Sequence, residues 1–397
     1  MRTRSVVLVF GALTALFASG YGVMFTVLDE MRDQYGISEG ALGLIVAMGF
    51  LSSFLAQVTV APQADRGHAR LLILIGMTCN VAGLLGMAFG KNVEVLLTGR
   101  FVMGFGIGLA YPAARRIVIL AEPNRLGQNL GRLLAADVAG FASGPAVSAV
   151  LVGPFGIAAP FLVIVALTVA CFPVIARTHV SESTDVGPDG EIAPRFAFDL
   201  LRIRPYVAAV CLGSAVFMMI GAFDALWALV LDDLHTSDLI SNLGITLFAV
   251  PVVLFGSTGG KLAQRIGPFR FGTFGLLTGA VAMVAYGHAP SGEVMLVISI
   301  VHAINDGLTV SSSGVAVGMV VPAERQASAQ GLLGGAETLV AGVTATVIGQ
   351  IYEHLGRTAA YTCCAAAMLA LILAGAVLSG SSWKLRDVPV RAEPVTA

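Results

Sequence analysis

About twelve stretches of roughly 20 apolar residues follow one another along this chain, with little between them. They cover approximately 6–28, 40–61, 71–89, 95–119, 130–153, 157–176, 205–231, 241–262, 271–289, 294–320, 328–350 and 358–380. A hydrocarbon layer of ~30 Å takes about 20 residues of helix to cross. Within that layer the backbone must satisfy its own hydrogen bonds, so segments of this length are read as helices. Only 12% of the residues are charged, against about 25% in a soluble domain, and 56% are hydrophobic. Too few polar residues exist to cover a soluble core. The expected class is an all-α integral membrane protein of about 12 transmembrane helices in two six-helix, pseudo-symmetric bundles.

The two halves repeat each other. Ala64-Asp65-Arg66-Gly67-His68-Ala69-Arg70 separates two apolar segments, and about 200 residues later Gly260 to Arg270 does the same. Arg125 answers Arg325, Gly131 answers Gly331, Leu133 answers Leu333, Asp137 answers Glu337, and Pro123 answers Pro322. Repeated halves with a site at their interface are the architecture of secondary transporters. The longest polar run, Ser181 to Gly190, reads as a flexible linker. The expected organisation is a first bundle over 1–176, a cytoplasmic linker over 177–204, a second bundle over 205–380 and a cytoplasmic tail over 381–397. Phe196, Phe198, Leu200, Leu201 and Ile203 interleave with charges, the pattern of a short helix on a membrane surface.

Cations set the expected orientation. With the N-terminus inside, Arg2, Arg4, Arg66, Arg70, Arg125, Arg177, Arg195, Arg202, Arg204, Lys261, Arg265, Arg270, Arg325, Lys384, Arg386 and Arg391 all fall on the inner side. Arg32, Lys91 and Arg357 alone fall outside. Both termini are therefore expected in the cytoplasm, in a multi-pass protein of the plasma membrane. Arg2 and Arg4 precede an apolar run, as in a signal peptide, but no small-residue cleavage site follows and the run is read as a retained span. The cysteines lie within apolar segments without metal-ligand or disulfide spacing. No nucleotide loop, catalytic serine elbow or zinc cluster is present, so no enzyme, cofactor or metal is expected. A net charge of −1 gives no reason to expect nucleic acid.

These features resemble the major facilitator superfamily. Its loop signature is a Gly followed by Asp-Arg-x-Gly-Arg/Lys. Here Asp65-Arg66-Gly67-His68-Ala69-Arg70 stands, with Ala61 in place of the leading Gly and one position fewer. The second copy keeps Gly260, Arg265, Gly267 and Arg270 but has Gln264 where the Asp would be. Arg100, Gly104 and Gly108 resemble the family's fourth-span motif. Gly140, Gly144 and Pro145 are similar to the fifth-span motif of proton-coupled drug antiporters, although the glycine pair that usually follows is Ser148-Ala149. The resemblance implies that Asp65 faces the start of the eleventh span, near Ala327 to Leu332, as a gate latch. A carboxylate at a helix N-terminus meets the positive end of its dipole. Without such a role, the arginines merely fix topology.

Ionisable residues inside spans are costly, and each is a candidate for function. Five stand out as proton-coupling candidates: Asp306, Asp224, Glu337, Asp137 and Arg100. Asp137 and Glu337 sit at equivalent places, close enough to basic loops that ion pairing competes with a proton role; Arg132 lies five residues before Asp137. Asp306 lies near mid-span, beyond easy reach of loop arginines, with His302 one turn away and Asn305 beside it. Its other reading is a satisfied polar knot between helices. Tyr21, Met24 and Phe25 in the first span, and Phe217, Phe223 and Trp227 in the seventh, are candidates for a substrate cavity along with His302 and Asn305. Asp224 and Trp227 are spaced i,i+3 and are expected on one face. Packing or lipid contact is the alternative for the aromatics.

The function expected from all this is secondary active transport by alternating access, as a monomer exchanging protons for small lipophilic or cationic compounds. Proton-coupled uptake of a sugar or other metabolite is the alternative within transport. A non-transporting membrane sensor or lipid-handling scaffold is the alternative of another kind.

Overall fold

The first half of the chain is helical wherever apolar periodicity runs, and each helix stops where the turn chemistry changes. In the computed structural model, which describes residues 3–178, 194 and 196–387, α1 covers Thr3–Thr26, α2 Leu28–Tyr35, α3 Glu39–Thr59, α4 Ala69–Phe89, α5 Val93–Ala121, α6 Leu126–Phe155 and α7 Ala158–Arg177. The second half contributes α8 (Arg204–Asp233), α9 (Asp238–Ile266), α10 (Pro268–His288), α11 (Gly292–Thr309), α12 (Ser312–Val320) and α13 (Gln326–Ser379). No strand occurs among the described residues. Asn92 caps α5 by accepting the Val95 N–H at 2.9 Å, satisfying one of the donors that a helix start leaves open. The stretch 181–190, Arg2, Arg195 and Arg391 lie outside the described residues, as do most of the expected linker and most of the expected tail.

Among the described residues, ten helical stretches are long and apolar enough to cross a membrane. One of them, α13, holds both the eleventh and twelfth expected spans, which meet at Gly356 with φ +81°. Only glycine adopts that left-handed backbone without strain. The eighth expected span is α9. Three expectations about element limits change. The first span ends at Thr26, and the acidic segment after it is a separate short helix, α2, with Met31 buried beneath. The tenth is two helices, α11 and α12, that meet at Val310 and Ser311. The second polar stretch is mostly helix: Lys261 to Arg265 are sound helix formers and prolong α9 to Ile266. Gly267, at φ +115°, then ends it, and Pro268 starts α10 at once.

The described chain forms two compact units. Unit one holds Met1–Glu122, Ala136–Ala197 and Ala323–Gly335; unit two holds Pro123–Ala135, Phe198–Pro322 and Ala336–Ala397. Unit one thus includes the first turns of α13, and unit two the first turns of α6. Within unit one, the glycines of the two span motifs serve helix contact. Gly104 and Gly108 lie against the backbone of α3 at Gly49 and Ser53, and Gly140 and Gly144 against α1 at Ala15 and Gly22. Small residues let helices approach this closely in an apolar medium, where dispersion and polar contacts replace the hydrophobic effect. Ser19 strengthens the α1–α6 contact by donating to the Gly140 carbonyl at 3.0 Å. Pro145 lies inside α6 without ending it.

Candidate functional site

The first polar loop is ordered by one carboxylate. After α3, residues Ala61–Arg66 form a 3-10 turn closed by Gly67 at φ +83°, which carries Asp65 into a fully buried position. Its Oδ1 accepts the Ala327 N–H at 2.9 Å, and its Oδ2 accepts the Ser328 N–H at 2.7 Å. Both donors belong to the first turn of α13, where N–H groups have no partner within the helix. Arg116 of α5, itself 1% exposed, donates from Nε to Oδ1 at 3.0 Å. Everything in this arrangement belongs to unit one. Arg66 and Arg70 are half-buried beside it, and Arg70 Nε has no acceptor among the described residues.

The second loop builds a neutral counterpart in unit two. Gln264 Oε1 accepts the Gly127 N–H, in the first turn of α6, at 3.0 Å, and Nε2 donates to the Asn124 carbonyl at 3.3 Å. Gly260 packs on Gly127, and Gly256 on Gly131. Gly331, the repeat partner of Gly131, packs on Gln57 in unit one. Arg265 is exposed and Arg270 half-buried. The glutamine at 264 therefore fills the aspartate's place with a ligand that accepts and donates at once.

Asp137 and Glu337 also play matching parts. Tyr111 of α5 donates to Asp137 at 2.6 Å, with Arg115 near enough to act on it electrostatically. Ser313 of α12 donates to Glu337 at 3.3 Å, and Glu337 is buried. Arg132 donates to Asn129 at 3.2 Å.

Asp306 lies in the middle of the span Gly292–Val320 and is 3% exposed. His302 Nε2 stands 3.4 Å from its Oδ2, and Asn305 Nδ2 donates to its Oδ1 at 3.3 Å. Asn305 also donates to the Gly275 carbonyl of α10 at 3.0 Å. On the far side of the imidazole, Nδ1 is 3.1 Å from the Tyr286 hydroxyl. With that hydroxyl donating, Nε2 carries the ring proton, placed between Asp306 and the Met219 sulfur of α8, 3.0 Å away. Aromatic rings close the cluster: Phe248 meets His302 edge-on at 5.7 Å, and Phe223 stacks on Trp227 at 4.7 Å. All of these residues belong to unit two.

Several cavity candidates are placed otherwise than expected. Met24 is fully buried in the core of unit one, with Val23, Val27 and Met103, so it faces no open space. Asp224 is exposed while Trp227 is 2% exposed, their directions some 60° apart around α8. Phe217 is half-buried. Tyr21, half-buried, and Phe25, exposed, meet edge-on at 4.8 Å. Arg100 is 2% exposed, with its guanidinium 4.4 Å above the Tyr21 ring. Tyr111, Arg116, Met219 and Tyr286 went unnoticed in the sequence. Of these, only Arg116 left a signal, as half of an arginine pair at the end of the fourth apolar run.

Comparison with known proteins places this geometry. Multidrug resistance protein MdtG of Serratia proteamaculans (strain 568) is 27% identical over 252 residues, 61% of this chain and 60% of that protein. Quinolone resistance protein NorA of Staphylococcus aureus (strain MSSA476) is 23% identical over 212 residues, 53% of this chain and 54% of that one. The aligned region thus spans little more than half the length of either relative. The crystal structure of the human organic anion transporter MFSD10 (TETRAN) superposes with a TM-score of 0.79 at 16% identity, covering 94% of this chain and all of that one, which establishes a common fold. The sequence model of the Major Facilitator Superfamily matches residues 8–231 and again 216–395. With the family's loop signature folded around Asp65 and both halves of the chain matched, this protein belongs to the Major Facilitator Superfamily.

Proposed function

We propose that this chain is a proton-coupled exporter of small lipophilic or cationic compounds, working by alternating access in the cell membrane with both termini inside. The observation that carries the reading is the buried Asp306 carboxylate at mid-span, held by Asn305 and facing a histidine that Tyr286 orients. A carboxylate so placed is costly to ionise in a span unless its charge is matched, which suits a group that takes up and releases a proton. Asp224, exposed on the membrane-spanning α8, offers negative charge to a cationic compound. The resistance proteins among the relatives support export over uptake. This reading needs no enzyme chemistry, cofactor or metal.

Inverted membrane vesicles with an acid interior provide the test. Lipophilic cations such as ethidium and tetraphenylphosphonium are expected to accumulate only while the gradient persists, and not in Asp306→Asn at matched expression. Gradient-driven movement of labelled sugars instead would favour uptake. No gradient-linked flux for any compound would leave the scaffold reading.

A further inference from the structure

Two arginines of α5 are buried to nearly the same degree, and only one has a counter-charge. Arg116, 1% exposed, is paired with Asp65 at 3.0 Å. Arg100, 2% exposed, has no carboxylate partner among the described residues. Its contacts are the Tyr21 side chain, with the ring face 4.4 Å from Cζ, and the Met103 sulfur, 3.7 Å from Nη1; Nε has no acceptor. Thioether sulfur is a weak acceptor, and a ring face answers charge only through its quadrupole. A guanidinium offers five N–H donors in a rigid fork suited to carboxylate, and this one lacks the anion.

A methyl group at Gly49 would overlap the guanidinium, so the absence of a side chain there is what admits Arg100 between α3 and α5. Around Tyr21 stand Phe25 at 4.8 Å, Phe50 at 5.8 Å and Phe141 at 5.7 Å. Phe25 and Phe141 are 38% and 37% exposed, so the aromatic group reaches from the buried cation to the surface. All of these residues belong to unit one.

We infer that Arg100, covered by Tyr21 and approached past Phe25 and Phe141, is a binding site for the acidic group of an aromatic anion. Tyr21 swings aside, the carboxylate takes the fork of the guanidinium, and the ligand's ring lies among Phe25 and Phe141. This widens the proposed substrates from neutral and cationic lipophiles to arenes that carry an acid. It rests on the reading that the chain binds small organic compounds, and not on the direction or coupling of their transport.

The test is equilibrium binding of radiolabelled naphthylacetate and its uncharged analogue naphthylacetamide to the purified full-length protein. About tenfold tighter binding of the carboxylate is expected, the effect of a charge-assisted hydrogen bond, and it should weaken as salt rises. Arg100→Gln is expected to erase the preference while leaving the amide's affinity within about threefold, and Arg100→Lys to keep part of it. Should Arg100→Gln fail to fold, Phe141→Ala replaces it and is expected to weaken both probes together, with the preference for charge intact. Equal binding of the two probes overturns the anion site and leaves the carrier reading standing. A preference that survives Arg100→Gln, or that Phe141→Ala leaves at full affinity, also overturns the site. Binding of neither probe overturns the site together with the reading beneath it.

Discussion

The Asp65 carboxylate accepts the backbone N–H of Ser328 at 2.7 Å, across 263 residues of chain. Its other oxygen holds Ala327 N–H and Arg116 together. Asp65→Asn removes the carboxylate charge paired with the buried Arg116, a loss of about 3–5 kcal/mol for such pairs. The variant should insert normally, melt several degrees lower in detergent and transport markedly more slowly. Wild-type rates at equal expression would remove the latch from the mechanism.

Gln264 makes the matching contact with Gly127 and Asn124 through neutral bonds, each contributing about 0.5–1.5 kcal/mol. Gln264→Ala is therefore expected to lower thermal stability less than Asp65→Asn does. Parallel melting curves of the two variants give the comparison, and a larger loss in Gln264→Ala would contradict it.

Asp306→Asn is expected to abolish gradient-driven transport while an uncharged substrate still binds. Glu337→Gln should keep coupling, because Ser313 bonds the carboxyl at 3.3 Å and an amide oxygen can accept the same bond. Flux under an imposed pH gradient separates the two. Full coupling in Asp306→Asn, with failure in Glu337→Gln, would move the proton site to Glu337.

Tyr286→Phe removes the hydroxyl that orients His302 but leaves the carboxylate in place. One neutral hydrogen bond of about 1 kcal/mol corresponds to a change of roughly fivefold. Coupled flux should fall by about that factor with its pH profile displaced, whereas a purely structural tyrosine would lower expression and leave the profile alone.

The charge asymmetry of the loops predicts which side each one faces. In a background without the native cysteines, Glu122→Cys should react with an impermeant maleimide only in inverted vesicles, and Ser291→Cys only in intact cells. The opposite pattern would reverse the proposed orientation.

The helices were legible because span length and loop charge are local properties. Stretches such as 71–89 and 157–176 contain little besides apolar residues, and the expected limits fall within two residues of α4 and α7. The break between α11 and α12, and the continuation of α9 beyond Leu262 to Ile266, were not legible. There the sequence permits either helix or loop, and tertiary contacts choose. Candidates for the site were legible as a class, since an ionisable residue in an apolar run stands out by its cost.

By itself the sequence determined a repeated, membrane-spanning chain and the residues that are expensive to bury. It could do so because hydropathy and charge act residue by residue. Tertiary structure decided the partners: Arg116 for Asp65, Tyr111 for Asp137, Tyr286 and Met219 for His302, and no carboxylate for Arg100 among the described residues. A partner depends on how each helix is rotated against its neighbours. In an apolar medium that rotation is set by close contacts such as Gly104 on Gly49, between residues far apart in the chain.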